Sequence, residues 1–368
     1  MSKKKDSAQF LSRCCDTICH MCSVDTRLKP KVFSLSVSLL LLASCGEHDD
    51  LLPEYELSGP TMGTTFSVKL VAPPTDLDKR ELLSRINSLL AGIESDMSTY
   101  RSDSEISRFN AHQAADWFAV SSESCGVVQE ALALSKFTGG SFDITVGPLV
   151  NLWGFGPDGA VSVPPERQRV AAMIARVGYG HLHVDCTRPA LRKDLPDLYV
   201  DLSAYAKGFA ADRVAALLDD QQVDHYLVEI GGELRLHGSN RKGQNWAIAV
   251  EKPARMERTI QTVVGLTDSA MATSGDYRNY FEHNGKHYSH TIDPRTGYPV
   301  SHETASVTVI ADTAAYADAM ATALHVLGQD AGLEFAEREN IAAYFLVRTD
   351  SGIEERMTTS FTARLQNK

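Results

Sequence analysis

Short alternating strands and amphipathic helices follow one another in this chain in no fixed order, and that irregularity limits the folds open to it. Residues 66–71 alternate as a strand. Residues 79–94 then place Leu82, Leu83, Ile86, Leu89, Leu90 and Ile93 on one helical face, and residues 123–136 form a second helical stretch ending at Thr138-Gly139-Gly140. A Gly/Pro-punctuated loop, VGPLVNLWGFGPDG, leads into a charged helix at residues 165–176. Short strands are expected at 182–184, 199–202, 226–230, 234–236 and 246–250, with a helix at 206–220 among them. A doubly wound sheet would need regular βα alternation, and no G-x-G-x-x-G opens a helix after a strand. The expectation is therefore an α+β fold of mixed and antiparallel sheets with packed helices, arranged as two closely associated lobes, and not a Rossmann fold.

The N-terminus sets a different constraint. Residues 32–44, VFSLSVSLLLLAS, are apolar or small, follow Arg27, Lys29 and Lys31, and run into Cys45-Gly46 and the polar EHDD. Basic, apolar and small-residue regions in that order read as an export signal, and the run is too short for a spanning helix. The alternative is a buried core helix, disfavoured by the flanking charges. The window Leu42-Ala43-Ser44-Cys45 resembles a bacterial lipobox, which makes Cys45 the lipidated first residue of the mature protein. A start at Met21 would give a signal of ordinary length. Cys19 and Cys22 have metal-ligand spacing, but no second ligand pair follows and the segment leaves with the signal. The resulting division is a signal at 1–44, a tether at 45–56, a catalytic domain at 57–350 and a C-terminal tail at 351–368. Of seven cysteines only Cys45, Cys125 and Cys186 survive processing, so at most one disulfide can form.

Beyond the signal the chain carries 29 basic against 44 acidic side chains, a formal charge of −15. Such a surface does not suit nucleic acid, and a phosphate ligand would need local backbone donors, a lysine or a metal ion. Three places offer them. Asp318 and Thr322 lie one helical turn apart, so that a carboxylate and a hydroxyl could serve a hard cation; the plain alternative is a side-chain hydrogen-bond pair. Asp201 to Gly208 cross from a strand into a helix, where free N–H groups and Lys207 could meet phosphate, or where Asp201 merely caps the helix and Lys207 is solvated. In SHTIDPRTGYP, His290 could move protons, whereas Asp293 beside Pro294 reads as a turn former.

The ordered segments TMGT (61–64), MSTY (97–100), FDITVGPLV (142–150), DLSAYAKG (201–208), EIGGE (229–233), ATSGDY (272–277), SHTIDPRTGYP (289–299) and DAMAT (318–322) resemble the ApbE-like FAD:protein FMN transferases over about residues 57–345. The resemblance implies a Mg²⁺-dependent enzyme that holds FAD in a cleft between its lobes and passes FMN to a Thr or Ser hydroxyl, releasing AMP. It implies flavin-nucleotide contacts from Met62, Tyr100, Ser141, Phe142, Asp143, Asp201, Lys207 and Ile292. It places the metal on the Ala204 carbonyl, Asp318 and Thr322, and gives His290, or alternatively Asp276, the role of base. Ser203-Ala204 stands where many relatives have Gly-Gly, and a carbonyl ligand survives that change. The implied partner is an exported or periplasm-facing acceptor flavoprotein, such as a subunit of a membrane redox complex, met by an enzyme lipid-anchored outside the cytoplasm. The alternatives are an FAD pyrophosphatase and a non-catalytic flavin-binding lipoprotein.

Overall fold

Eight strands follow one another across a single sheet in the order in which the chain makes them, every neighbouring pair antiparallel. This is a computed structural model, and it describes residues 51–253, 259–277 and 279–366. The strands are β1 (Glu54–Thr61), β2 (Thr64–Val71), β3 (Tyr226–Ile230), β4 (Glu233–His237), β5 (Ser269–Gly275), β6 (Thr304–Ala311), β7 (Ala342–Thr349) and β8 (Gly352–Met357). No parallel βα unit enters the sheet, so the α+β expectation holds and the Rossmann alternative is excluded among the described residues.

Both faces of the sheet are covered, which explains why β7 reads as a nearly unbroken apolar run. Its Ala343, Phe345 and Val347 face one hydrophobic cluster, and the alternating Ala342, Tyr344 and Leu346 face another. The first layer contains α1 (Lys79–Met97), α2 (Ala206–Asp220) and α3 (Ala314–Arg338). The second contains the hairpin of Trp246–Glu251 and Ile260–Leu266, together with Phe361 of α4 (Thr359–Gln366). The two lobes expected around a cleft are not distinguished: the described residues form one compact unit with a layer on each face of the sheet. In α1, Asp78 caps the N-terminus by accepting from the N–H groups of Arg80 and Glu81, while Leu82, Ile86, Leu90 and Ile93 are buried against the first layer. Each such buried side chain contributes roughly 1.5–3 kcal/mol.

Several boundaries differ from the sequence reading. Residues 54–56 belong to β1 rather than to a tether, and the 351–368 tail supplies β8 and α4, with Phe361 fully buried. Residues 199–202 form no strand, because the Val200 amide bonds to the Asn110 side chain and the Asp201 amide to the Ile144 carbonyl instead of to a ladder. Part of the Gly/Pro loop is a short helix, Gly147–Leu152, started by Pro148 in its first turn, where a missing N–H is harmless. Cys125 and Cys186 form a disulfide that ties helix Ser122–Phe137 to the turn after strand Leu182–Asp185. The signal region 1–44 and Cys45 lie outside the described residues. Among the described residues no helix is long and apolar enough to cross a membrane.

Candidate active site

Two helix N-termini meet without side chains between them. A Cβ on Gly208 would stand 2.2 Å from the Ala314 carbonyl oxygen, so only glycine lets the first turn of α2 approach the start of α3 this closely. Asp212, one turn further along α2, accepts from the amides of Ala314 and Ala315 and so caps α3 from its neighbour. The Gly208 amide, which would ordinarily close its helical turn on the Ala204 carbonyl, donates instead to Asp318 Oδ2 at 3.3 Å. The Asp318 carboxylate is thereby brought against the N-terminal turn of α2, which begins two residues after Ala204. Thr322 follows Asp318 on the same face, its hydroxyl 2.9 Å from that of Ser274 on β5.

Lys207 stands at this junction, its Nζ 2.9 Å from Glu233 Oε1 and 3.5 Å from Asp318 Oδ2. Burial pulls its ammonium pKa down, but the carboxylates of Asp318 and Glu233 outweigh burial and hold it above the ordinary lysine value. Burial pushes the Glu233 carboxyl up to about 7 against the opposing pull of Lys207. Ala204, Asp318 and Thr322 offer a carbonyl, a carboxylate and a hydroxyl, three hard oxygen donors that fit Mg²⁺ and suit neither zinc nor copper. With one carboxylate among them, this set is not a cluster of three His, Cys, Asp or Glu, and no such metal-holding cluster occurs among the described residues.

Apart from Lys207 on α2 and Ile292 in the short strand Ile292–Asp293, the expected flavin contacts lie on turns and loops. Met62 and Gly63 form the two-residue turn between β1 and β2, both with positive φ, and Glu94 of α1 fixes it by accepting from the Met62 amide and the Thr61 hydroxyl. Tyr100 is 67% exposed and its hydroxyl donates to the Phe155 carbonyl at 3.3 Å; burial and then the Asp201 charge raise its pKa. Asp201 accepts the Ser203 amide and hydroxyl in a turn ahead of α2; it does not make the helix cap weighed from the sequence, because the N-cap residue is Tyr205 and no side chain caps that terminus. Ser141 and Phe142 are buried, the former donating to the Thr138 carbonyl. Asp143 is occupied by Thr145 through both amide and hydroxyl and by the Tyr179 amide, while burial raises its pKa. Its carboxylate therefore shapes the loop, and any contact it makes with a ligand is shared with those donors.

His290 and Asp276 part company. The His290 ring lies beside Phe155, and its Nδ1 is 3.0 Å from the Asn279 carbonyl. A carbonyl only accepts, so Nδ1 carries the hydrogen and neutral His290 presents Nε2 with a free lone pair. Burial lowers its pKa, which keeps that lone pair available at neutral pH. Asp276 is 5% exposed and both its oxygens are held in a fork by Arg348, so the alternative base is committed to an ion pair. Asp293 is paired with Arg295, the structural turn role expected of it. Ile292 packs with Leu149, Trp153 and Val170 beneath this loop.

Sequence reasoning missed Glu94, Glu233 and Arg348. Glu233 lay inside a motif already singled out, but nothing in one sequence reveals that it meets Lys207; Glu94 and Arg348 carry no local signal at all.

The ApbE family profile matches residues 62–345. The chain belongs to the ApbE family. Among curated ApbE-type proteins, the FAD:protein FMN transferase of Vibrio cholerae serotype O1 is 47% identical over 324 residues, covering 88% of this chain and 96% of that protein. The FAD:protein FMN transferase of Escherichia coli K12 is 41% identical over 312 residues, covering 84% and 88%. The solved flavin transferase ApbE from Vibrio cholerae superposes with a TM-score of 0.79 at 45% identity, covering 85% of this chain and 99% of that one. The apo flavinyl transferase ApbE from Pseudomonas stutzeri gives 0.79 at 40% identity, covering 86% and 98%. The α+β architecture is thus that of ApbE flavin transferases.

Proposed function

We propose that this enzyme transfers the FMN moiety of FAD to a Thr or Ser hydroxyl of an acceptor flavoprotein, releasing AMP, with Mg²⁺ as its metal. The observation that carries the reading is the Gly208–Asp318 contact, which brings a helix N-terminus and a lysine suited to phosphate against Asp318, the carboxylate of a donor set suited to a hard cation. Ala204, Asp318 and Thr322 would hold the ion, which supplies charge neutralisation at the pyrophosphate and at the departing AMP phosphate.

The chain's own groups divide the remaining work. Lys207, at the N-terminal turn of α2, binds phosphate oxygens, and Met62 and Tyr100 flank the nucleotide. His290 Nε2 takes the proton as the acceptor oxygen bonds to the FMN-side phosphorus and the bond from that phosphorus to the AMP phosphate oxygen breaks. The Nδ1–H bond to Asn279 orients the ring for that transfer.

Lipidation at Cys45, membrane attachment and a position outside the cytoplasm belong to the same reading. The signal-like N-terminus supports them, and so does the Cys125–Cys186 disulfide, since such bonds persist in oxidising compartments.

His290→Gln tests the assignment. FAD affinity should stay within about twofold of the native value, while flavin fluorescence that remains on the denatured acceptor accumulates at least about 100-fold more slowly. Transfer at the native rate would remove His290 from the reaction.

A further inference from the structure

Glu233 is a buried carboxylate with half of its hydrogen-bonding capacity unused. It is 5% exposed, its Oε1 receives Lys207 at 2.9 Å, and its Oε2 has no partner among the described residues. A carboxylate so placed is costly unless its charge is needed where it stands. Its position is set tightly. β3 turns into β4 through Gly231 and Gly232, both with positive φ, and a Cβ on Gly231 would stand 3.2 Å from the Lys207 Cδ and 3.5 Å from Glu233 Oε2. The turn thus presses the lysine stem and the carboxylate together.

Lys207 has two anionic neighbours here, Glu233 at 2.9 Å and Asp318 at 3.5 Å. Without Glu233 the ammonium would close on Asp318, the one carboxylate among the three oxygen donors. We propose that Glu233 is a positioning residue: it holds Lys207 off Asp318 and so keeps that carboxylate open to the divalent cation while the ammonium stays beside it for phosphate. The inference rests on the metal reading above and adds to it a residue that acts through Lys207.

Mn²⁺ is a suitable probe, because the resonance signal of the free ion reports uptake by the purified chain without FAD. E233Q keeps the shape of the side chain and should weaken Mn²⁺ binding roughly tenfold, the scale expected for one charge–charge contact at a partly screened site. On a K207M background the same change should alter affinity by less than about twofold, because no ammonium remains to be restrained. An equal loss in both backgrounds, or no loss in either, overturns the proposal. Should E233Q alone melt out, comparing K207M with K207M/E233Q still decides, since a tenfold drop there contradicts it. Native protein that takes up no Mn²⁺ would instead sink the metal reading itself, a distinct result.

Discussion

Gly208→Ala is the smallest change that should dismantle the site. The added Cβ would sit 2.2 Å from the Ala314 oxygen, 2.5 Å from its carbonyl carbon and 2.7 Å from the Ala315 nitrogen. All three are backbone atoms in a capped helix terminus, so no flexible side chain can yield. Ordinary contact lies near 3.5 Å, and relieving the overlap requires the first turn of α2 to move by about 1 Å relative to α3. That displacement breaks the Gly208–Asp318 bond and the two caps from Asp212, and overpacking of this kind costs about 1–3 kcal/mol. It also separates Lys207 from Asp318, and a misplacement on the order of 1 Å costs about 100-fold in rate. Urea denaturation and FMN transfer, measured side by side, read both effects. Gly92→Ala is the control: it lies within α1 with nothing within 4 Å of the added Cβ, and should gain up to about 1 kcal/mol without touching transfer. Native stability and native transfer in Gly208→Ala would refute the idea that this contact assembles the site.

Other consequences can be checked independently. Asp318→Asn should raise the Mg²⁺ concentration needed for transfer far more than Thr322→Val, because only the first removes formal charge; equal shifts in a Mg²⁺ titration would contradict the donor assignment. Replacing Cys125 and Cys186 by serine should cost about 4 kcal/mol by denaturant titration, the cross-link spanning 61 residues; an unchanged midpoint would show that the bond does not form. His325 is fully buried, its Nε2 donates to the Thr304 carbonyl, and burial pushes its pKa down to about 3. The unfolded chain therefore takes up that proton first as pH falls. Stability from this group is present above the ordinary histidine pKa of about 6.5 and is lost below it, at about 1.4 kcal/mol per pH unit. His325→Leu should flatten the difference in urea stability between about pH 7 and about pH 5 by roughly 2 kcal/mol, and an unchanged slope would assign it elsewhere.

What the sequence revealed and what it hid follow from the range of the interactions. Helical spacing exposed α1 and α2, and alternation exposed β2 and β3, because those periodicities are written in neighbouring residues. The order of β1 to β8 is not written there, since β2 pairs with β3 across more than a hundred intervening residues. The segment expected as a C-terminal tail holds GIEERM, an edge strand whose residues are exposed or half-buried and so carry little hydrophobic signal. Asp318 and Thr322 were legible as a pair on one helix, whereas the contact of Asp318 with the start of α2 depends on Gly208, a glycine whose reason lies in a contact with Ala314. Asp276 and His290 were indistinguishable as bases from type alone. Arg348, distant in sequence, separates them by claiming the carboxylate.

The central claim is that this chain moves FMN from FAD onto a protein hydroxyl, and a single-turnover mass balance tests it most directly. The native enzyme, FAD, Mg²⁺ and a purified acceptor flavoprotein are mixed, quenched in denaturant and examined by mass spectrometry and nucleotide analysis. The account predicts acceptor heavier by one FMN phosphoryl group per AMP released, with the flavin on a Thr or Ser that, once replaced by Val or Ala, abolishes both products. AMP accompanied by free FMN and unmodified acceptor would make the enzyme a pyrophosphatase, and intact FAD with no AMP would make it a binder; either result contradicts the account.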